Sequence, residues 1–191
     1  MTKNFQIALI ILIVLIGMFF FNKNSQLKLE TVSEAIFTED IENIFKFMIQ
    51  KGEVAIELSR IDTMWRISGN DTLEVKSRSM DNLFDKVLKV NRGTIISENP
   101  EKYDKYSVDD STGTHLAVID SKGETVGYYV FGRSNYSRSY VRVGSNPKVY
   151  LADQNVTYML QTRPTYWGEK PKDEVPLPPP IDIPADTTIN N

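Results

Sequence analysis

One histidine and no cysteine occur among 191 residues, which narrows the chemistry open to this chain. A hydrolase needs a base or nucleophile held against a partner group. His115 falls in an alternating stretch with Ala117 and Ile119 on its face, a pattern that predicts a structural or edge-exposed position on a strand. A catalytic dyad would have to recruit Asp109, Asp110 or Asp120, whose turn-like surroundings suit carboxylates that cap and solvate loops. The same acidic stretch, with Glu101 and Asp104, lacks the twelve-residue calcium loop and its closing glutamate. Without cysteine there are no disulfides, thiolate nucleophiles or Cys-ligated metals. No Gly-rich phosphate loop, Gly-x-Ser-x-Gly elbow or His-Glu-x-x-His helix is present. We therefore expect no catalytic residue, no cofactor and no metal, and a hydrolase with an unrecognised site is the third of three readings.

Tyrosine and arginine offer a different chemistry. All nine tyrosines lie between Tyr103 and Tyr166, and Tyr136, Arg138, Tyr140 and Arg142 alternate. Tyrosine is a good strand former, and both residue types anchor interfaces through rigid amphipathic area and planar donors. On a strand, Tyr140 and Arg142 share one face and Val141 and Val143 the other. If the valines face the core, the row is exposed, and replacing Tyr140 and Arg142 together leaves stability nearly intact. Such a face is an ordinary solvated surface, a protein-docking surface or a surface for glycan or polyanion. Tyr136, Arg138, Tyr140 and Arg142 are the candidate partner-docking residues.

The elements that would position these groups follow from periodicity. In residues 41–49, Ile41, Ile44, Phe45, Met48 and Ile49 fit a helix stripe while Phe45, Phe47 and Ile49 fit a strand face, and the two patterns compete. Lys51-Gly52 and the alternation of Val54, Ile56 and Leu58 favour a hairpin, continued by a strand at 64–68 with Trp65 and Ile67 on one face. The clearest helix is 80–91, with Met80, Leu83, Phe84, Val87 and Leu88 in one apolar stripe, Ser79 as N-cap and Gly93 as exit. A short strand at 94–96 and one or two helical turns over 101–106 follow. Strands at 114–119, 125–131, 139–143 and 149–152, separated by turns and by a break at Gly132, predict an antiparallel C-terminal sheet of about four strands.

Residues 5–21 form an almost unbroken apolar run between Lys3 and Lys23. Seventeen helical residues rise about 25 Å, close enough to a hydrocarbon core of about 30 Å for a single span with snorkelling lysines. The bulky Met18-Phe19-Phe20-Phe21 end suits a retained anchor better than a cleaved signal. We expect a short cytoplasmic N-terminus and an exported C-terminal part. The net charge of −3 offers no basic field for nucleic acid. Six of nine prolines fall between Pro171 and Pro184, a composition for extended polyproline segments rather than a core element.

The region 40–160 resembles the DUF4340 family of uncharacterised bacterial envelope proteins. The match is carried by Ile41-Glu42-Asn43-Ile44 through Thr63-Met64-Trp65-Arg66-Ile67, by Tyr106-Ser107-Val108-Asp109-Asp110 with Gly113 following, and by Val130-Phe131-Gly132-Arg133, Ser139-Tyr140-Val141-Arg142-Val143 and Lys148-Val149-Tyr150. Two departures are Gly69-Asn70, where relatives often have a proline, and Ser107-Val108-Asp109, where they often have a Gly-Leu-Asp-x-Pro-like run. The resemblance implies a single-span anchor, an exported α+β domain and association with accessory parts of ABC-type transport or gliding-type envelope systems; it implies no catalytic residue.

The expected organisation is a transmembrane anchor over 1–24, a juxtamembrane linker over 25–38, an α+β domain of mainly antiparallel sheet with one packed amphipathic helix over 39–166, and a proline-rich flexible tail over 167–191. The expected function is a binding or scaffold module at a bacterial inner membrane, docking onto other envelope proteins. The second reading is a domain that binds an envelope glycan or small molecule.

Overall fold

A computed structural model describes residues 33–171; the expected anchor, most of the linker and nearly all of the proline-rich tail lie outside the described residues. No helix among the described residues is long and apolar enough to cross a membrane. These residues form one nine-stranded sheet, all of whose neighbours are antiparallel, in the order β1-β6-β10-β9-β8-β7-β2-β3-β4. The strands are β1 (Glu34–Ala35), β2 (Ile44–Lys51), β3 (Val54–Ile61), β4 (Met64–Ile67), β5 (Glu74–Val75), β6 (Asn91–Ser97), β7 (Thr114–Asp120), β8 (Thr125–Asn135), β9 (Arg138–Val143), β10 (Val149–Ala152) and β11 (Gly168–Glu169). The short β5 and β11 pair only with each other.

The competition over 41–49 resolves into a single tight turn, Ile41–Asn43, followed by β2. Asp40 caps that turn by accepting from the Glu42 amide at 3.0 Å. β2 and β3 form the expected hairpin, with Lys51 opposite Val54 and Gly52 in the left-handed region at φ 58°. β7 to β10 are the expected four-stranded meander, and β2 joins it along β7. The N-terminal hairpin and the C-terminal meander are therefore one sheet.

Two cores form on opposite faces because side chains alternate along each strand. On one face, Phe47 and Ile49 of β2, Ile56 and Leu58 of β3, Leu116 and Val118 of β7 and Tyr129 and Phe131 of β8 meet the helix residues Met80, Leu83, Val87 and Leu88. Phe47, Trp65 and Phe84 form an aromatic triangle with centroids 5.3–5.9 Å apart. On the other face a smaller cluster joins Tyr106 and Val108 to Val130 and Val149.

The packed helix differs from its expected bounds. Helix α1 begins at Ser77 and runs to Asn82, then widens into a turn over Leu83–Val87 whose Leu88 amide donates back five residues to Leu83. Widening one turn lets Leu83, Val87, Leu88 and Val90 all be buried. Ser79 lies inside the helix and its hydroxyl donates to the Tyr166 carbonyl at 3.0 Å instead of capping, while Gly93 sits in β6. Nor does Gly132 end its strand. β8 continues to Asn135, and the glycine is needed because the Tyr106 carbonyl would stand 2.2 Å from a Cβ there.

The chain also folds past residue 166. Helix α3 (Pro164–Trp167) delivers a fully buried Trp167, whose indole donates to the Gln161 carbonyl at 2.6 Å. The Lys76 amide donates to the Trp167 carbonyl at 2.7 Å, just ahead of α1. The local sequence shows a tryptophan beside prolines, whereas its pocket is assembled from residues about ninety positions upstream, near β5 and α1. At the other end Ile36 and Phe37 are buried, and the Tyr129 hydroxyl donates to the Ile36 carbonyl at 2.9 Å.

Trp167→Ala is expected to destabilise the domain by about 3–5 kcal/mol, the usual cost of emptying a buried aromatic site. Denaturant unfolding of the parent and variant measures it. A change under about 1 kcal/mol would place Trp167 outside the cooperative unit.

Candidate functional site

The four tyrosine and arginine candidates divide. β8 and β9 are joined by a two-residue turn, Tyr136-Ser137, between the paired Asn135 and Arg138. Tyr136 is fully exposed and adopts φ 45°. Tight hairpin turns usually put Gly, Asn or Asp in that region, because left-handed backbone costs a residue with a bulky Cβ about 1–2 kcal/mol. Arg138, beside it, is also exposed. The tip therefore presents an aromatic ring and a guanidinium on a strained but well-paired hairpin.

Tyr140 and Arg142 do not share that exposure, which corrects the expected open row. They occupy the predicted face opposite the buried Val141, but helix α2 (Tyr103–Tyr106) and the loop after it cover them. The Tyr140 and Tyr106 rings meet edge to face at 4.9 Å. The Arg142 guanidinium lies 4.9 Å from the Tyr103 ring centroid, and its side chain is only 12% exposed. Its Nε donates to the Val108 carbonyl at 3.3 Å, and one terminal nitrogen reaches Asp110 at 3.3 Å. Alternation correctly separated the faces of β9, yet the cover comes from a segment over thirty residues upstream.

His115 and the nearby carboxylates do not assemble into a dyad. The imidazole is buried on β7, with Nδ1 2.6 Å from the Tyr128 hydroxyl and no partner for Nε2 among the described residues. Asp120 accepts from the Lys122 and Glu124 amides, both at 2.9 Å, and so shapes the β7–β8 turn. Asp110 is the surface partner of Arg142. Asp109 accepts from the amides of Ser111 and Thr112 and from both hydroxyls. Partial burial works to raise the Asp109 pKa, but these four donors outweigh it and hold the carboxyl well below the usual range. Among the described residues no group of three acidic or histidine side chains could hold a metal ion.

Two concavities lie on the surface of the described residues. A polar cleft of about 560 Å³ opens where one end of the sheet meets the segment 155–162. Lys51, Thr114 and Phe131 are cross-strand neighbours on β2, β7 and β8 and form its floor, with Arg133 further along β8. Tyr158 and Gln161 come from the segment that roofs it. No aspartate or glutamate lines this cleft. A second groove of about 630 Å³, between β4 and α1, is lined by Met64, Trp65, Leu73 and Phe84. Sequence reading missed the polar cleft because its lining residues, taken singly, are ordinary strand and loop residues. Only the pairing of β2 with β7 brings Lys51 near Arg133.

A family model described as a domain of unknown function, DUF4340, matches residues 65–171. No curated protein and no solved structure matches the chain. The matched span runs from β4 to the end of the described residues, so it omits β2 and β3 although these share the sheet.

Replacing Tyr140 and Arg142 together by alanine is expected to cost about 2–4 kcal/mol, through lost aromatic packing and an emptied guanidinium site. Thermal or denaturant unfolding measures it, and near-neutrality would show that α2 does not cover this face. The lowered Asp109 pKa stabilises the fold above the ordinary carboxylate range, and that contribution fades as pH falls below about 4 towards the folded-state value. Asp109→Asn should accordingly flatten the acid limb of a stability–pH profile while leaving its alkaline limb in place.

Proposed function

The chain belongs to the DUF4340 family, and from that premise we propose that it is a binding module tethered to a bacterial inner membrane by residues 1–24. Its exported domain docks onto other envelope proteins, as an accessory to an ABC-type transport or gliding-type assembly. The observation that carries the docking reading is Tyr136. A fully exposed aromatic side chain held at φ 45° costs the free domain stability without contributing to a core. Strain of that kind is retained where a residue serves something outside its own fold. Tyrosine and arginine together suit the centre of a protein interface, where each is worth about 2 kcal/mol or more when truncated.

A second reading, ligand binding at the envelope, is favoured by the polar cleft beside the same hairpin. The hydrolase reading loses ground, because His115 is hydrogen-bonded to a tyrosine rather than to a carboxylate.

The docking reading is tested with a photo-reactive amino acid at position 136 of the full-length chain in intact cells. We expect one discrete protein adduct, reduced at least tenfold when Arg138→Glu is added. Many weak adducts, or one indifferent to Arg138, would remove the tip as a docking site. Tyr136→Gly should stabilise the domain by about 1 kcal/mol, because glycine takes the left-handed turn without strain, and yet weaken partner capture. A variant that gains stability while losing its partner separates function from folding.

A further inference from the structure

We propose that the cleft at the end of the sheet binds a carboxylate-bearing saccharide. This deepens the ligand-binding reading and is independent of docking at Tyr136. Three features of the cleft select that chemistry. The first is charge: Lys51 and Arg133 both line it, no acidic residue does, and neither has an ion-pair partner among the described residues. Two cations beside one cavity repel each other, and an anionic ligand relieves that repulsion. Arg133 spends one terminal nitrogen on the Lys105 carbonyl at 2.6 Å, which orients the guanidinium and leaves its other donors for a planar carboxylate. Asp109 is close in sequence to the lining residue Thr112, but its oxygens are occupied by Ser111 and Thr112.

The second feature is the polar lining. Ser134 on β8 and Thr162 in the segment opposite line it with neutral hydroxyls, the complement of a ring bearing several hydroxyls, while Gln161 donates to the Tyr158 carbonyl at 3.0 Å and steadies that segment. The third is Tyr158, whose side chain is largely exposed at the mouth. Its ring offers a flat apolar platform for the C–H face of a pyranose, with a hydroxyl at its edge. A volume of about 560 Å³ falls within the usual range for small-ligand sites, about 300–1,000 Å³, and suits one to three sugar rings. Simple inorganic anions are a poorer match. They use neither the aromatic platform nor the spread of hydroxyl and amide groups, and the cleft has no run of glycine amides to cradle a phosphate.

The test is calorimetric titration of the full-length chain in nanodiscs with trigalacturonate and with N-acetylmuramic acid. Galactotriose and N-acetylglucosamine serve as neutral counterparts, and inorganic phosphate as a bare anion. At least one acidic saccharide should bind at least tenfold more tightly than its neutral counterpart. That affinity should fall at least tenfold in Lys51→Gln, which breaks no ion pair, and in Tyr158→Ala, with little change in melting temperature for either. Tyr136→Gly should leave it unchanged. The proposal is overturned if neither acidic saccharide binds or if acidic and neutral forms bind alike. It is equally overturned if phosphate alone matches the saccharide, if Lys51→Gln binds within twofold of the parent, or if binding is lost in Tyr136→Gly, which would move the site to the hairpin tip.

Discussion

Strand β8 carries the constraint on which the whole domain depends. Tyr129 and Phe131 point into the large core while Val130, between them, points into the small one. A strand with both faces buried cannot slip by a single residue, because a slip would exchange the two sets of side chains. The next residue, Gly132, extends the constraint from side chains to backbone. The Tyr106 and Ser107 carbonyls pack where its Cβ would be, so α2 can close over β8 and β9 only at that point. The partial burial of Tyr140 and Arg142, the covered face and the polar cleft at the sheet's end all follow from where β8 is held.

Local patterning made much of this architecture legible. The turn at Gly52, the alternation in β3 and β7, the stripe from Met80 to Leu88 and the opposed faces of β9 are properties of neighbouring residues. What escaped was set at a distance. Residues 41–49 were ambiguous because Phe45, Phe47 and Ile49 satisfy a strand face while Ile41, Ile44, Phe45, Met48 and Ile49 satisfy a helix; pairing with β7 decides for the strand, and a register shift between Ile44 and Lys46 buries Ile44 and leaves Phe45 exposed instead. The widened turn in α1 records the demand of several apolar side chains for one core, which no helix template contains. Trp167 looked like the threshold of a tail because its partners lie around β5 and α1.

The candidate sites divide along the same line. Tyr136 and Arg138 were readable as interface types, and both are exposed at the tip of the β8–β9 hairpin. Tyr140 and Arg142 have the same residue types but are partly covered by a segment that closes from far away in the chain. The cleft was invisible for the complementary reason, because no two of its charged lining residues are near one another in sequence. Residue type indicates what a surface could bind, and topology decides which residues are surface.

The N-terminal strap has a mechanical consequence. β1 contributes two residues at one edge of the sheet, supported by the Arg92–Glu34 pair and by the bond from Tyr129 to the Ile36 carbonyl. A pull on the chain ahead of residue 33 loads these contacts in sequence rather than together, since an edge strand drawn from its end peels like adhesive tape. Peeling the strap would free the residues ahead of the buried Ile36 and Phe37, while the ladders that join β2, β3, β4 and β6 to β10 remain paired. With the strap lifted, β6 would become an open edge of the sheet, so these two residues also act as the cover that keeps that edge from pairing with another chain.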